Sequence, residues 1–256
     1  MWKVLLLLIV AIALTPAAAQ TQRKFKILLI TGESKRPADH PYGTWHHEHY
    51  NHLLAEYVKD FATIRATSDL SVLRDDSLNG YDMIINNSLF LEPNEKQQEA
   101  FFKFVESGKP YFVVHAGHVS FVNARKYTEM LGGRFIQHDD FKTFEVKTCD
   151  YWYGWEAESN SYRHPIVKGV EDFKTADELY FVQFTTPDVE VIARAEYHPI
   201  MWTRNWGKGK VLCLTLGHAE MSQQNSGFQA LFTNGAKWLL GILDKPGSMS
   251  RAEAKK

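Results

Sequence analysis

Apolar and polar positions follow two different periods along the first half of the chain. Short apolar runs, typical of buried strands, occur at Lys24–Thr31, Ala62–Thr67, Tyr81–Asn87 and Tyr111–Val114. Segments with the period of an amphipathic helix alternate with them, at Thr44–Phe61, Glu92–Gly108 and Asn123–Gly133. Thr44 is the expected N-cap of the first helix, and Gly108 is the expected stop of the second. This alternation predicts an α/β fold around a mostly parallel central sheet.

The pattern changes in the second half of the chain. From Arg134 onwards apolar residues recur at every second position, which is typical of antiparallel strands. Such strands are predicted within Arg134–Asp150, Ala176–Phe184, Val189–Glu196 and Pro199–His218, with a hairpin turn at Gly207–Lys210. A final helix is predicted at Gly227–Leu243. The antiparallel strands are therefore expected as additions to the parallel sheet.

The N-terminal segment has the features of a secretory signal peptide. Lys3 is followed by an apolar core from Val4 to Leu14 and by the small residues Ala17 and Ala19. The apolar core is too short to span a membrane comfortably. We therefore expect residues 1–19 to be removed, a single domain at residues 20–244, and a flexible tail at residues 245–256. The mature protein would be periplasmic or secreted, without a membrane span.

Composition narrows the classes of partner. A hydrophobic content of 45% indicates a well-packed globular domain, and the formal net charge is −1. This charge gives no electrostatic argument for binding nucleic acid or an anionic membrane. Cys213 lies in an apolar run and is expected to be a buried thiol, whereas Cys149 follows a polar alternating stretch. A disulfide between Cys149 and Cys213 is one alternative and two free thiols are the other. A homo-oligomer is likewise compatible with the sequence.

Candidate site residues, all of them polar except Gly32, lie where the predicted strands end. They are Thr31, Gly32, Glu33, Asn86, Asn87, His115, His118, His218 and Glu220. Ligands of open α/β sheets bind beyond the carboxyl ends of the strands. These side chains are therefore candidates for a common site. A core histidine bonded to a carbonyl group remains the alternative for His115 and His118.

The first predicted helix is rich in histidine. His46 and His49 would share one of its faces, as would His49 and His52, while His47 would face elsewhere. The positive end of a helix dipole disfavours protonated imidazole, so these histidines could bind a metal or accept a proton. A solvated, histidine-rich helix surface is the simpler alternative.

The segment around His115 resembles that of a known superfold. Lys109–Val119, KPYFVVHAGHV, is similar to the nucleophile elbow of class I glutamine amidotransferases, with His115 in the place of the nucleophilic cysteine. In this resemblance LGHAE supplies His218 and Glu220 as the equivalents of the triad histidine and acid. Because thioester formation needs a thiolate at the elbow, the chain is not expected to be a glutaminase.

The finer pattern resembles the ThuA-like (trehalose-utilisation) family. The matching segments are FVVHAGHVSF, YTEMLGGRFIQHDDF, HPIVKGVEDFKTADELYF, PIMWTRNWGKGKVLCLTLGH and FTNGAKWLLG. The resemblance implies a flavodoxin-like or amidotransferase-like three-layer sandwich, a role in carbohydrate catabolism and, in some members, a divalent metal. Links of the family to 3-keto sugar chemistry imply a substrate class.

The types of residue that could lie together at the carboxyl ends of the strands lead to the prediction of a metal site. Imidazoles with a carboxylate suit zinc first, and also manganese, iron or nickel. The expected metal ligands are His46, His49, His115 and His218. The expected catalytic residues are His115, His218, Glu220 and Glu33, and the expected substrate-binding residues are His118, Asn86, Glu178 and Trp155. His138 and His164 are weaker candidates.

The leading interpretation is an exported, metal-assisted enzyme of carbohydrate catabolism. Its substrate would be a 3-keto glycoside or a related sugar, and its reaction an isomerisation, elimination or hydrolysis. Rings in the segment Tyr151–Trp155 could stack on a sugar. The alternative is a non-catalytic sugar-binding or accessory protein on the same frame.

Overall fold

A large mixed sheet forms the centre of the computed structural model, which describes residues 23–148 and 164–243. The strands are β1 Phe25–Glu33, β2 Ala62–Thr67, β3 Met83–Leu89, β4 Tyr111–Val114, β5 Gly133–His138, β6 Lys142–Lys147, β7 Phe173–Asp177, β8 Tyr180–Phe184, β9 Glu190–Ala195, β10 His198–Trp206 and β11 Gly209–Leu214. The helices are α1 Asn51–Val58, α2 Asp75–Leu78, α3 Glu95–Glu106, α4 Arg125–Leu131, α5 Glu220–Gln223 and α6 Ser226–Leu239.

The order of the strands confirms the predicted α/β class. The sheet runs β2-β1-β3-β4-β11-β10-β9-β6-β7. Its first five strands are parallel to one another, and the remaining neighbours pair antiparallel. β5 and β8 form a separate two-stranded ribbon. Four of the parallel strands come from the alternating strands and helices, and most of the antiparallel strands come from the period-two segment. β11 also lies in the period-two segment, and it departs from the prediction because it pairs parallel with β4 as well as antiparallel with β10.

Helices cover both faces of the parallel half and make three layers. Alternate residues of β1 enter different cores, since Ile27 packs with Leu54 and Phe232, whereas Leu28 packs with Phe101 and Tyr127. All four residues of β4 are buried. Strands covered on both faces become continuously apolar, which explains the short uninterrupted runs in the sequence. The carboxyl ends of β1, β3, β4 and β11 therefore meet at one edge.

The predicted first helix is wrong in its N-terminal part. The helix begins at Asn51, and residues 45–50 have no regular secondary structure, so Thr44 is not its N-cap. Tertiary hydrogen bonds explain the difference, because Glu33 accepts from the backbone N–H of His47 and from Nδ1 of His46. These bonds hold the segment in an extended path. His46 and His49 therefore do not share a helical face.

The structure also bears on the predictions for Cys213 and for a membrane span. Cys213 is buried inside β11, as predicted, and its Sγ lies 3.8 Å from the carbonyl oxygen of Leu131. Among the described residues, no helix is long and apolar enough to cross a membrane. The signal peptide, Cys149, Trp155 and the tail at residues 245–256 lie outside the described residues.

Candidate metal centre

The turn that follows β4 presents His115 in a strained conformation. His115 has φ +39°, and residues 115–119 form a single 3₁₀ turn. A non-glycine residue in this region costs on the order of 1–3 kcal/mol and is found mainly at functional sites. Gly117 allows the turn to approach β3, since a Cβ atom there would lie 2.3 Å from the carbonyl oxygen of Asn86. The turn lies within the segment that resembles a nucleophile elbow in the sequence, Lys109–Val119.

Hydrogen bonding fixes the tautomer of His115. Its side chain is buried, and Nδ1 lies 2.7 Å from the carbonyl oxygen of Thr215. A carbonyl oxygen only accepts, so Nδ1 carries the proton and Nε2 of the neutral ring keeps its lone pair. That Nε2 atom lies 3.2 Å from Nδ1 of His218 and 3.1 Å from the hydroxyl of Tyr180. Bonding of one imidazole nitrogen to a carbonyl group is the usual arrangement of a metal-ligating histidine.

His218 lies on the loop after β11, next to Gly217, whose φ of +118° turns the chain towards the site. Asp177 holds this loop from the end of β7. Its carboxylate accepts from the backbone N–H groups of Gly217 at 2.7 Å, His218 at 3.2 Å and Glu178 at 2.8 Å. Burial raises the pKa of Asp177, which is fully shielded from solvent. One buried carboxyl group thus positions His218 and Glu178 together.

Replacing Asp177 by asparagine should disturb both residues. The amide keeps one oxygen and would point an NH₂ group at one of the three backbone donors, which is expected to destabilise the fold by about 1–3 kcal/mol. Metal affinity should fall as well, because His218 loses its backbone anchor. Urea unfolding and metal titration measure the two effects. Asp60→Asn, an exposed control, should change neither, and equal effects in both variants would contradict the positioning role.

Glu178 lies between two histidines. Its Oε2 atom is 3.5 Å from Nε2 of His115 and 3.3 Å from Nδ1 of His218, and its Oε1 atom is 3.7 Å from Nδ1 of His138. Burial alone would raise the pKa of Glu178, but His115 and His218 outweigh it and hold that pKa far below its usual range. Burial alone would lower the pKa of His218. The neighbouring Glu178 carboxylate outweighs burial, so the pKa of His218 is raised. Glu178 is therefore an ionised carboxylate at this site.

His47 completes the group from the extended segment before α1. It is 3% exposed, and neither ring nitrogen has a hydrogen-bond partner among the residues that the structure describes. Its ring centroid lies 5.0 Å from that of His115 and 5.7 Å from that of His218. Burial, followed by the neighbouring histidines, holds the pKa of His47 far below its usual range. A neutral, buried imidazole with two unpaired nitrogens is costly unless something binds it.

The three histidines could form a metal site. One ring nitrogen from each of His47, His115 and His218 lies within 4.8 Å of the other two. The ligand nitrogens of a tetrahedral zinc ion are about 3.3 Å apart, so the histidine side chains would have to rotate towards one another to hold the ion. Three imidazole ligands with one carboxylate nearby match the donor sets of zinc and of several first-row metals. The residues present therefore fit a divalent cation.

A cavity of about 220 Å³ opens over these histidines. Its lining consists of Thr44, Trp45, His46, His47, Leu89, His115, Ala116, Val119, His138, Glu178, Tyr180 and His218. The predicted residues His46, His115, His138, Glu178 and His218 therefore converge on one space. Small-molecule sites of enzymes are concave and combine apolar walls with a few polar groups, and this cavity has both.

Other predicted site residues support the cavity from outside. Glu33 lies 2.8 Å from Nδ1 of His46 and accepts from the N–H of His47, so it orients the segment that carries both. Although burial opposes it, bonding to His46 lowers the pKa of Glu33. His49 packs behind His47 with a centroid distance of 4.8 Å, and burial lowers its pKa. His47, and neither His46 nor His49, is therefore in the group of three histidines that could hold a metal ion.

His118 and Asn86 lie beneath the turn rather than in the cavity. Nδ1 of His118 donates to the carbonyl oxygen of His115 at 2.9 Å, and burial lowers the pKa of His118 to about 3. Asn86 bonds the hydroxyl of Tyr127, which in turn donates to the carbonyl oxygen of Gly117. Both residues therefore secure the backbone of the turn, and the substrate contacts predicted for them are not seen.

Two further candidates lie elsewhere. Glu220 is exposed at the start of α5, where it accepts from Gln224 at 3.0 Å, and it does not line the cavity. The nearby carboxylate is Glu178 instead. His164 accepts from the backbone of Ile166 and packs on Trp238, away from the site.

Sequence reasoning missed His47, Asp177 and Tyr180. His47 was placed on the wrong face because the segment was interpreted as helix. Asp177 directly precedes Glu178 in the stretch ADELYF, so an acidic pair next to an aromatic residue was the available signal. Burial raises the pKa of Tyr180 well above its usual value, which keeps its hydroxyl neutral beside His115.

Comparison with known proteins agrees with this architecture. The family model of ThuA, described as trehalose utilisation, matches residues 26–239. A ThuA-like protein of Parabacteroides merdae has a similar structure with TM-score 0.69 and 17% identity, covering 88% of this chain and 93% of that one. A ThuA-like protein of Bacteroides uniformis has TM-score 0.62 and 22% identity, covering 88% and 95%. A cytoplasmic protein of Salmonella typhimurium has TM-score 0.61 and 12% identity, covering 86% and 100%. None of the curated proteins matches the chain.

Proposed function

This chain belongs to the ThuA family, which is described by trehalose utilisation, and on that premise we propose that it is a metal-assisted enzyme acting on a carbohydrate. Family membership suggests the carbohydrate-related role. The observation that carries the enzymatic proposal is the convergence of His47, His115 and His218, whose nitrogens lie within 4.8 Å of one another beneath a cavity. The substrate class would be a 3-keto glycoside or a related sugar.

His47, His115 and His218 would hold the metal, with zinc as the first candidate and manganese, iron or nickel as alternatives. When bound, such a cation supplies Lewis-acid polarisation of a carbonyl or hydroxyl oxygen. The proton on Nδ1 of His115 is held by Thr215, which directs Nε2 towards the cavity. His47 brings two nitrogens that the described part of the protein leaves unpaired.

Glu178 and Tyr180 are the groups placed to handle a substrate proton or hydroxyl. Glu178 remains ionised, and its Oε2 atom lies 3.3 Å from Nδ1 of His218, so it can orient His218 or accept from a substrate hydroxyl. Tyr180 keeps its proton because of burial, and its hydroxyl can donate to an oxygen atom in the cavity. These roles suit an isomerisation, an elimination or a hydrolysis of a sugar.

A thiol mechanism has no support at this position. The residue at the elbow is His115, and Cys213 is buried inside β11, where burial raises the pKa of its thiol well above the usual value. A thiolate nucleophile requires the opposite shift. The proposal therefore excludes glutamine hydrolysis through Cys213 and assigns the elbow position to an imidazole.

Metal content tests the proposal. Mature protein beginning at Gln20, purified without a histidine tag, should contain about one divalent ion per chain, and His115→Ala should lose it. Turnover of 3-keto glucosides should stop on chelation and return when the metal is restored. His164→Ala removes a buried histidine away from the cavity and should keep the metal.

Two results would contradict the proposal. Protein that stays free of metal after supplementation with zinc, manganese, iron and nickel has no metal centre. Metal-loaded protein that binds sugars without converting any of them would instead match a non-catalytic sugar-binding protein.

A further inference from the structure

The cavity lining combines two kinds of group. Imidazole, carboxylate and phenol groups come from His47, His115, His218, Glu178 and Tyr180. The apolar part, called the apolar wall below, consists of Trp45, Leu89, Ala116 and Val119. A sugar ring also combines two kinds of surface, because its C–H groups form an apolar face and its hydroxyl groups form a polar rim. The composition of the lining therefore carries information about the ligand.

Trp45 is held firmly at the apolar wall. Its ring stacks on Phe90, with centroids 6.1 Å apart and planes at 23°, and meets Phe135 edge-on at 5.9 Å. Tyr42 packs against it at 4.5 Å, and His138 at 5.2 Å. The Trp45 side chain is half-buried yet lines the cavity. An aromatic ring supported in this way loses little conformational entropy when it binds a ligand.

The apolar wall and the metal-ligating histidines belong to one rigid unit. Leu89, Phe90 and Ala116 form a small buried cluster, against which Trp45 and Val119 pack. Ala116 and Val119 lie in the same 3₁₀ turn as His115. The N–H of Phe90 donates to the carbonyl oxygen of Val119 at 3.2 Å. The distance between the apolar wall and the histidines is therefore set by the fold.

The charge of the side chains favours a neutral sugar at the part of the cavity away from the proposed metal. No lysine or arginine is among the described residues that line the cavity, while Glu178 is ionised there. Phosphate and carboxylate groups are normally bound by arginine, lysine, a row of backbone N–H groups or a metal ion. A sugar phosphate or a uronic acid would therefore depend on the metal for its anionic group, whereas a neutral sugar matches the side chains without it.

The size of the cavity limits the ligand further. Its volume is about 220 Å³, which is below the roughly 300 Å³ at the lower end for drug-sized ligands. One ring fits this space, and the second ring of a disaccharide would remain at the opening.

From these observations we infer that Trp45 is a stacking platform for a single neutral sugar ring, whose oxygen-bearing edge faces His47, His115 and His218. This inference rests on the proposed function and adds to it the substrate class and the residue that selects it. Stacking on an indole ring uses the apolar face of the sugar, and that contact does not depend on the metal. Stacking on Trp45 and metal binding by the three histidines can therefore be tested independently of each other.

The test uses zinc-loaded mature protein and calorimetric titration with the methyl glucopyranosides, trehalose and glucose 6-phosphate. Trp45→Ala is expected to weaken binding of the neutral sugars about tenfold, while Trp45→Phe keeps most of the affinity. Zinc affinity should stay within about twofold of the wild type in both variants. Tyr197→Ala removes a 94% exposed aromatic side chain elsewhere on the surface and should change neither affinity.

Fluorine NMR tests the contact between Trp45 and the sugar directly, and it still applies if Trp45→Ala does not fold. In protein labelled with 5-fluorotryptophan, the fluorine resonance that is missing from Trp45→Phe should shift when a neutral glucoside is added. Unchanged sugar affinity in Trp45→Ala, the lack of binding of any neutral sugar, or, in protein stripped of metal, tighter binding of glucose 6-phosphate than of the neutral sugars would each overturn the inference. Sugar binding that depends on Trp45 in protein unable to bind zinc would support the platform and overturn the metal proposal instead.

Discussion

His47→Ala should abolish stoichiometric metal binding and lower the metal affinity by at least about a hundredfold, since loss of an outer-shell partner alone commonly costs 10- to 100-fold. His47 contributes a neutral imidazole from a buried position, with both nitrogens unpaired in the described part of the protein. Its low pKa means that a cation does not have to displace a proton there. Removal of this ring leaves two histidines, which is one protein ligand fewer than catalytic zinc sites use and two fewer than structural sites use.

The stability of the metal-free protein distinguishes this explanation from general misfolding. A buried polar ring without partners is destabilising, so metal-free His47→Ala should unfold at nearly the same temperature as the metal-free wild type. Metal at a hundred times its Kd should stabilise the wild type by about 2.7 kcal/mol and the variant hardly at all. His52→Ala, an exposed change on α1, is the matched control. Stoichiometric metal in His47→Ala would show that other residues hold the ion.

The second large effect is expected from Gly117→Ala. A Cβ atom at this position would lie 2.3 Å from the carbonyl oxygen of Asn86, 2.9 Å from its carbonyl carbon and 2.7 Å from Cγ2 of Val113. Two of these atoms belong to the backbone of β3, a central strand that cannot move aside. Overpacking of this kind costs about 1–3 kcal/mol and occasionally more. We expect a loss of about 3 kcal/mol in the free energy of unfolding, at the upper end because the contact is with backbone.

Urea denaturation measures that loss, and a metal titration shows whether the turn has moved. His115 precedes Gly117 by two residues, so displacement of the turn should also weaken metal binding. Gly80→Ala is the control, because the nearest atom to a Cβ there is the carbonyl oxygen of Ser77 at 3.3 Å. If Gly117→Ala unfolds like the wild type, the close approach of the turn to β3 does not hold in solution.

Much of this architecture could be predicted from local patterns. β1, β2 and β4 are marked by apolar runs and α3 by a capping box at Asn94. The carboxyl ends of parallel strands then bring His115 and His218 to neighbouring positions, although 103 residues separate them. These predictions hold because buried parallel strands must be apolar on both faces and must end at one edge.

The contribution of His47 could not be predicted from periodicity. The segment Thr44–Tyr50 has helical spacing, yet hydrogen bonds to Glu33 draw it into an extended path. Such tertiary hydrogen bonds override local helix propensity. The spacing of the residues does not show whether the hydrogen bonds or the propensity will determine the structure. The position of Glu178 between His115 and His218 could not be predicted either, because it depends on how Asp177 anchors the loop after β11.

The position of β11 has a consequence for how the protein matures. β11 is the last strand in the sequence but lies between β4 and β10, near the centre of the sheet. Parallel pairing with β4 joins residues about one hundred positions apart, as in Leu212 with Phe112, and such long-range closure is slow because its entropy cost comes before its contacts form. His218 reaches His115 only after this strand has inserted. Acquisition of a metal ion is therefore expected to follow the insertion of β11 into the sheet.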